Sequence, residues 1–236
     1  MLGMKPLSSE RRLIEAAEAL ALTLGSNPNH SVAAAALDTN GRIYTAVNVD
    51  HFTGGPCAEL VALGVAATAN AGPLVAIAAA GDGSRGLIPP CGRCRQVMLD
   101  LHPDLCVAVP TDSGPQMRQI AKMLPDAFFF PDADSERVFS FHKRYYESVS
   151  SGSKTSSVRW DERVAVGPAI FYFEDDDRAP LRGQILEVSR YPLSELSPER
   201  LRIRDGGSVE DYVAGLRGHY PLMPAEALVD VVDFTL

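Results

Sequence analysis

Three cysteines in a fixed pattern constrain this chain more than any other feature. Cys57 stands in Pro56-Cys57-Ala58-Glu59, and 34 residues later Pro90-Cys91-Gly92-Arg93-Cys94 supplies two more. Helical periodicity follows both segments, from about Cys57 to Asn70 and from about Cys91 to Leu101, so each cluster opens a helix. Helix N-termini favour the thiolate, because their unpaired N–H groups and dipole stabilise negative charge. A C-x-x-C at a helix start lets two thiolates converge on one metal, and Cys57 from a neighbouring helix start completes three ligands. Three protein ligands leave the fourth tetrahedral position of zinc open, as a catalytic site requires. Zinc so held lowers the pKa of a bound water toward ~7. A closed structural site needs a fourth ligand, and none fits this pattern.

The remaining sequence can build a real core around such a site. Its 236 residues are 46% hydrophobic and 22% charged, enough for one large domain or two of ordinary size. Disorder, collagen and coiled coil are excluded, since no low-complexity tract, glycine period or sustained heptad occurs. The longest apolar stretch, Pro73 to Ala80, is far short of the ~20 residues of a membrane helix. The N-terminal MLGMKPLSSERRL has no apolar signal region, so the expectation is a soluble cytoplasmic protein. Without a signal peptide, the four cysteines speak for metal or catalysis rather than disulfides. Cys106, in LCVAV, reads as a buried strand residue behaving as a small hydrophobe, with no role assigned. The formal charge of −8 is spread over both halves, with 9 Lys+Arg against 14 Asp+Glu in residues 1–136 and 13 against 16 in 137–236. Neither half is an electrostatic footprint for a polyanion. Arg200, Arg202 and Arg204 form one local basic run.

Apolar spacing over Ser9–Leu24 predicts a first helix, with Ser8 or Ser9 as N-cap and Gly25 as stop. SVAAAALD and RIYTAVNV flank Thr39-Asn40-Gly41 and read as a hairpin. The helix at Cys57, a buried strand LVAIAAA, a Gly-rich loop at 81–86, the helix at Cys91, a strand LCVAVP, a helix QMRQIAKML and the run Phe128-Phe129-Phe130 follow. Strands alternating with helices after a hairpin imply a layered α/β sheet of mixed direction. An acidic, proline-containing linker at 131–137 separates residues 1–130 from a second domain, 138–236. That half contains the β-like runs AIFYF, RGQILEVSRY and LVDVVDFTL, and a helical stretch from Ser208 to Leu216.

Glu59 sits two residues from Cys57. In a first turn the cysteine can reach back to the metal while the glutamate stands over the bound water, ready to carry its proton to a ring nitrogen and a leaving amine. That pairing is the zinc-deaminase signature in a three-cysteine form. Residues 6–130 resemble the small cytidine deaminases, the blasticidin-S deaminases most closely, through GRIYTAVNVDHFTGGPCAELVALG and RGLIPPCGRCRQVMLDLHPDL. The resemblance implies Cys57, Cys91 and Cys94 as zinc ligands, Glu59 as proton shuttle, hydrolytic loss of a cytosine 4-amino group as ammonia, a mixed five-stranded sheet between helices, and a homotetramer. It implies Arg93 as the donor that offsets the thiolates' charge, since Leu60 stands where many cytidine deaminases have arginine. Asn48 and Asp50 match the Asn and Glu that hold ribose hydroxyls, with Asp50 one methylene shorter; blasticidin-type enzymes have Tyr there. Ser31 matches a substrate-contacting serine. Phe128 and Phe130 align with aromatics that cap the pocket, and a hydrophobic core accounts for them equally well.

Residues 138–236 are similar to the ASCH domain, a small β-barrel related to RNA-binding PUA domains, through FHKRYYESVSSGSKTSSVR and VGPAIFYFEDD. One branch of that family hydrolyses N4-acetylcytidine with a Lys, Thr, Arg and Glu, matched here by Lys154, Ser157, Arg159 and Asp205. Ser157 would be the nucleophile, Lys154 its base and Arg159 the oxyanion donor. Ser157 and Arg159 share one face of an extended strand. A pocket that only binds a base or phosphate, and a Ser/Gly loop with scattered charges, explain the same residues. An amidohydrolase exposing a 4-amino group would feed a deaminase that removes it. The competing partner is RNA, which the net charge disfavours.

Overall fold

Alanine fills the centre of the first sheet, and this decides how closely helices can lie on it. The computed structural model describes residues 4–128, 130, 135–203 and 208–236. It divides into two units, Met1–Val138 with Glu174–Pro180, and Phe139–Phe173 with Leu181–Leu236. The first unit runs α1 (Ser8–Leu22), β1 (Val32–Asp38), β2 (Ile43–Val47), α2 (Ala58–Thr68), β3 (Leu74–Gly81), β4 (Gly86–Ile88), α3 (Gly92–Leu101), β5 (Cys106–Val109), β6 (Gln116–Gln119) and α4 (Ile120–Met123). Its strand order is β2-β1-β3-β5-β6, with β4 added along β3. Only the β3–β5 pair is parallel among these ladders, so the sheet is mixed, and β3 is buried along its whole length. Ala34, Ala36 and Ala79 leave room for α2 and α3, which bring Ala62, Leu63, Ala66, Cys94 and Met98 onto one face. Alternation turns Ala33, Ala35 and Leu37 to the other face, where α1 lies against β1 and β3.

The β1–β2 hairpin is tied by Asp38, which is fully buried. Its carboxylate accepts from the Asn40, Arg42 and Gly72 backbone N–H groups, from Arg42 Nε and from the Tyr44 hydroxyl. Burial pushes its pKa up, but these donors outweigh it and hold the carboxyl below the usual range. At the start of α1 the cap is Leu7, not Ser8 or Ser9. The Asp175 carboxylate accepts from the Ser8 and Ser9 N–H groups, and Glu10 accepts from Leu7 N. The stretch expected as one helix, QMRQIAKML, is instead β6 followed by the single turn α4. Pairing of Gln116–Gln119 with β5 outcompetes a weak local helical preference. The Gly-rich loop also holds β4, paired to β3 through Gly86–Ile88.

The second unit comprises β7 (Arg137–His142), α5 (Tyr146–Ser150), β8 (Ser156–Arg159), β9 (Gly167–Glu174), β10 (Leu181–Pro192), α6 (Val209–His219) and β11 (Leu228–Thr235). Its sheet has the order β7-β9-β10-β11-β8. The sheet curls into a half-barrel: Arg159 on one outer strand donates to Ser140 O on the other at 2.6 Å. Phe139, Phe141, Phe171, Phe173, Val232 and Phe234 fill the inside. Gly183 on β10 is needed there, because a Cβ would sit 2.5 Å from the Phe171 ring. Val158, Val229 and Val231 turn the other way onto a second core with Leu201, Leu216 and Met223. The basic run is consumed locally, since Arg202 pairs with Asp233 at 2.5 Å and Arg200 with Glu195 at 3.6 Å; Arg204 lies outside the described residues. No helix among the described residues is long and apolar enough to cross a membrane.

Candidate metal centre and nucleoside site

Two helix starts meet at the metal centre. Cys57 is the N-cap of α2 and Cys91 the N-cap of α3, both in extended backbone conformation, and Cys94 is buried in the first turn of α3. The three Sγ atoms lie within 4.8 Å of one another, and Cys57 and Cys91 sulfurs are 3.7 Å apart. A tetrahedral zinc with Zn–S bonds of about 2.3 Å spans S···S distances of roughly 3.8 Å, so the donor set fits the ion. Burial pushes the Cys57 and Cys94 thiols up when no cation is present. Cys91 is also raised by burial, but the Cys94 N–H and the Cys94 and Cys57 thiols outweigh it and bring it down. Glu59, only 6% exposed, follows Cys57 into the first turn of α2 and is not among the convergent ligand atoms.

The 48–56 loop is laced to this centre through the backbone. Val49 N–H donates to Pro56 O, one residue before Cys57, and Asp50 N–H donates to Asn29 O. The Asn48 side-chain oxygen accepts from both Ser31 N and Val32 N at 2.8 Å, which leaves its amide nitrogen as the outward donor. Asn48 and Ser31 are therefore joined, and Asp50 is exposed beside them. Gly55 permits the loop's path, because a Cβ there would fall 1.5 Å from Val49 O.

Several expected residues lie elsewhere. Arg93, expected to offset the thiolates' charge, is exposed, and no hydrogen bond from it to a sulfur forms among the described residues. Phe128 and Phe130 are not core residues, at 70% and 44% exposure. In the second unit Ser157 is buried and Arg159 and Lys154 are partly buried, while Asp205 lies outside the described residues. The sequence reading missed Arg95, whose guanidinium donates to Pro90 O and Met123 O and so fixes the approach to Cys91. It missed Arg85, which clamps Ser31 O and Asp82, His30 on Asn48 O, and Gln96, which holds Phe128 O. Each acts on a backbone carbonyl distant in sequence, a contact that residue type alone does not reveal.

Residues 7–109 match the model of the cytidine and deoxycytidylate deaminase zinc-binding region. A cytidine deaminase of Mycobacterium tuberculosis is 37% identical over 109 residues, which cover 45% of this chain and 79% of that protein. The chain belongs to the cytidine deaminase family. A Halalkalibacterium halodurans cytidine deaminase is also 37% identical, over 105 residues covering 43% of this chain and 79% of its own. Among solved structures, cytidine deaminase from Burkholderia pseudomallei aligns with 35% identity and a TM-score of 0.42, over 50% of this chain and 98% of that one. The matched family region is a zinc-binding one, and Cys57, Cys91 and Cys94 form a cluster whose donor atoms could hold the ion. Bound there, zinc would keep a position for water and lower that water's pKa toward neutrality.

Proposed function

We propose that this chain hydrolyses the 4-amino group of a small cytosine nucleoside, with Glu59 as its proton carrier. The supporting observation is the meeting of Cys57, Cys91 and Cys94 at two helix starts with Glu59 buried in the same turn. The balanced reaction is cytosine nucleoside plus water giving uracil nucleoside and ammonia. Glu59 would take a proton from the attacking water, pass it to ring N3, and deliver the next to the departing amine. The free amide of Asn48 would donate to a ribose hydroxyl, and Asp50 would accept from one. Its shorter side chain leaves cytidine, deoxycytidine and a cytosine-nucleoside antibiotic such as blasticidin S as candidates. Ser157 and Arg159 share a face of β8 close in sequence to Lys154, which supports adding an N4-acylated nucleoside to the assay.

The test is ammonia release from cytidine, deoxycytidine, blasticidin S and N4-acetylcytidine by zinc-loaded protein. Glu59→Ala is expected to retain zinc and lose about 10²–10⁴ in turnover. Unchanged turnover in that variant would sink the assignment of Glu59, and ammonia from none of the four would sink the substrate class. Acetate release that disappears in Ser157→Ala would mark the second unit as an acyl hydrolase, whereas no acetate removes that reading.

A further inference from the structure

Within the second unit, three cations gather with one carboxylate. Arg159 is almost buried, with its guanidinium over the rings of Phe139 and Phe141 at 4.3 and 5.3 Å. Glu162 lies 3.5 Å from Arg159 Nε and accepts from Tyr220, yet the Nε–H itself is buried without a hydrogen bond. Lys154 stands over two rings, its Nζ 5.0 Å from the centre of Tyr145 and 5.9 Å from that of Tyr212. No carboxylate pairs with it among the described residues, and burial followed by repulsion from Arg159 and Arg144 lowers its pKa to about 8. Arg144 donates to the Tyr145 hydroxyl at 2.8 Å and to His219 Nε2 at 2.6 Å, again without an acid. Tyr145 joins two of these cations, since the Arg144 guanidinium lies 4.7 Å and Lys154 Nζ 5.0 Å from its ring centre, and burial, followed by the charge of Arg144, lowers the His219 pKa.

A half-buried ammonium with no acid beside it and a buried guanidinium Nε–H with no hydrogen bond are costly arrangements unless an anion completes them. Aromatic faces soften that cost only in part. Three cations against Glu162 leave an excess of about two positive charges, which a dianion neutralises. We propose that Lys154, Arg144 and Arg159 form a binding site for a phosphate monoester on a small molecule. A polyanion fits less well. Residues 139–173 and 181–236 hold 11 Lys+Arg against 12 Asp+Glu, and Arg190, Arg200 and Arg202 are already paired with acids. The site is separate from the zinc chemistry, and its fate does not depend on that reading.

The experiment is titration calorimetry of the full zinc-loaded chain with ribose 5-phosphate, inorganic phosphate and a ten-residue oligouridylate. The first two lack a cytosine, so binding to the zinc centre through a base is avoided. Ribose 5-phosphate is expected to bind one to one, and Lys154→Met and Arg144→Gln each to weaken it about tenfold or more. Arg144 is exposed, so its variant does not put folding at stake, and Lys143→Gln serves as an unaffected surface control. Equal binding of inorganic phosphate assigns the site to the phosphate group itself. Absence of binding by both phosphates, or wild-type affinity in both variants, overturns the proposal. Tighter binding of the oligouridylate, lost steeply with salt, overturns it in favour of nucleic acid.

Discussion

Single residues in this protein carry charge states that their sequence neighbours do not explain. Glu10 is the clearest. Its pKa rises to about 7, first through burial and then through Glu174 and Asp175, although the Leu7 N–H opposes the rise. A carboxyl raised in the folded state makes a contribution that is complete below pH 4.5 and is lost as pH climbs through 7. Glu10→Gln keeps an acceptor for Leu7 N and removes the charge. It should therefore raise stability above pH 7 by roughly 1–3 kcal/mol, a tenfold change in proton affinity being worth about 1.36 kcal/mol, and leave it unchanged at pH 4. Urea unfolding at pH 4 and pH 8 tests this, and an equal gain at both values refutes it. Asp38 shows the opposite sign for a stated reason: five donors surround it where Glu10 has one.

At the scale of elements, two glycines nine residues apart separate shape from propensity. Gly55 precedes Pro56-Cys57, and a Cβ there has no room beside Val49 O. Gly55→Ala should displace the loop that sets Cys57 and lower zinc content and turnover together, measured by metal analysis beside the deamination assay. Gly64 in α2 has nothing within 4 Å, so Gly64→Ala should add about 0.5–1 kcal/mol of stability and keep zinc. Full zinc in Gly55→Ala would refute the argument. The same contrast explains how much was legible in the sequence. Asn40-Gly41 marked the hairpin, and the two proline-cysteine steps marked the starts of α2 and α3, because turn chemistry and helix capping are local. The strand β6 was not legible, since only its pairing with β5 makes it one. The first-turn N–H groups of α1 are satisfied by Asp175, 167 residues away from Ser8, and Pro90 O is gripped by Arg95. Contacts that close through space on a backbone carbonyl or amide leave no periodic trace.

For the whole molecule the question is whether metal stabilises the entire chain or only the unit that holds it. The ligands sit at the starts of α2 and α3, whose buried side chains belong to the first core. The two cores of the second unit are built from Phe139, Phe171 and Phe234 on one side of its sheet and Val158, Leu216 and Val229 on the other, and include none of the ligands. Metal binding adds folding free energy to the structure that positions its ligands. The one tryptophan, Trp160, lies in the second unit against Tyr220, so its fluorescence reports that unit alone, while calorimetry reports both. Stripping zinc with a chelator, or replacing Cys91 by Ser, should lower the calorimetric transition of the first unit by several degrees, since about 1 kcal/mol moves the Tm of a domain this size by roughly 2–4 °C. The Trp160 midpoint should stay where it was. A matching fall in both signals would mean that the two units unfold as one cooperative body, with zinc stabilising more than the unit that holds its ligands.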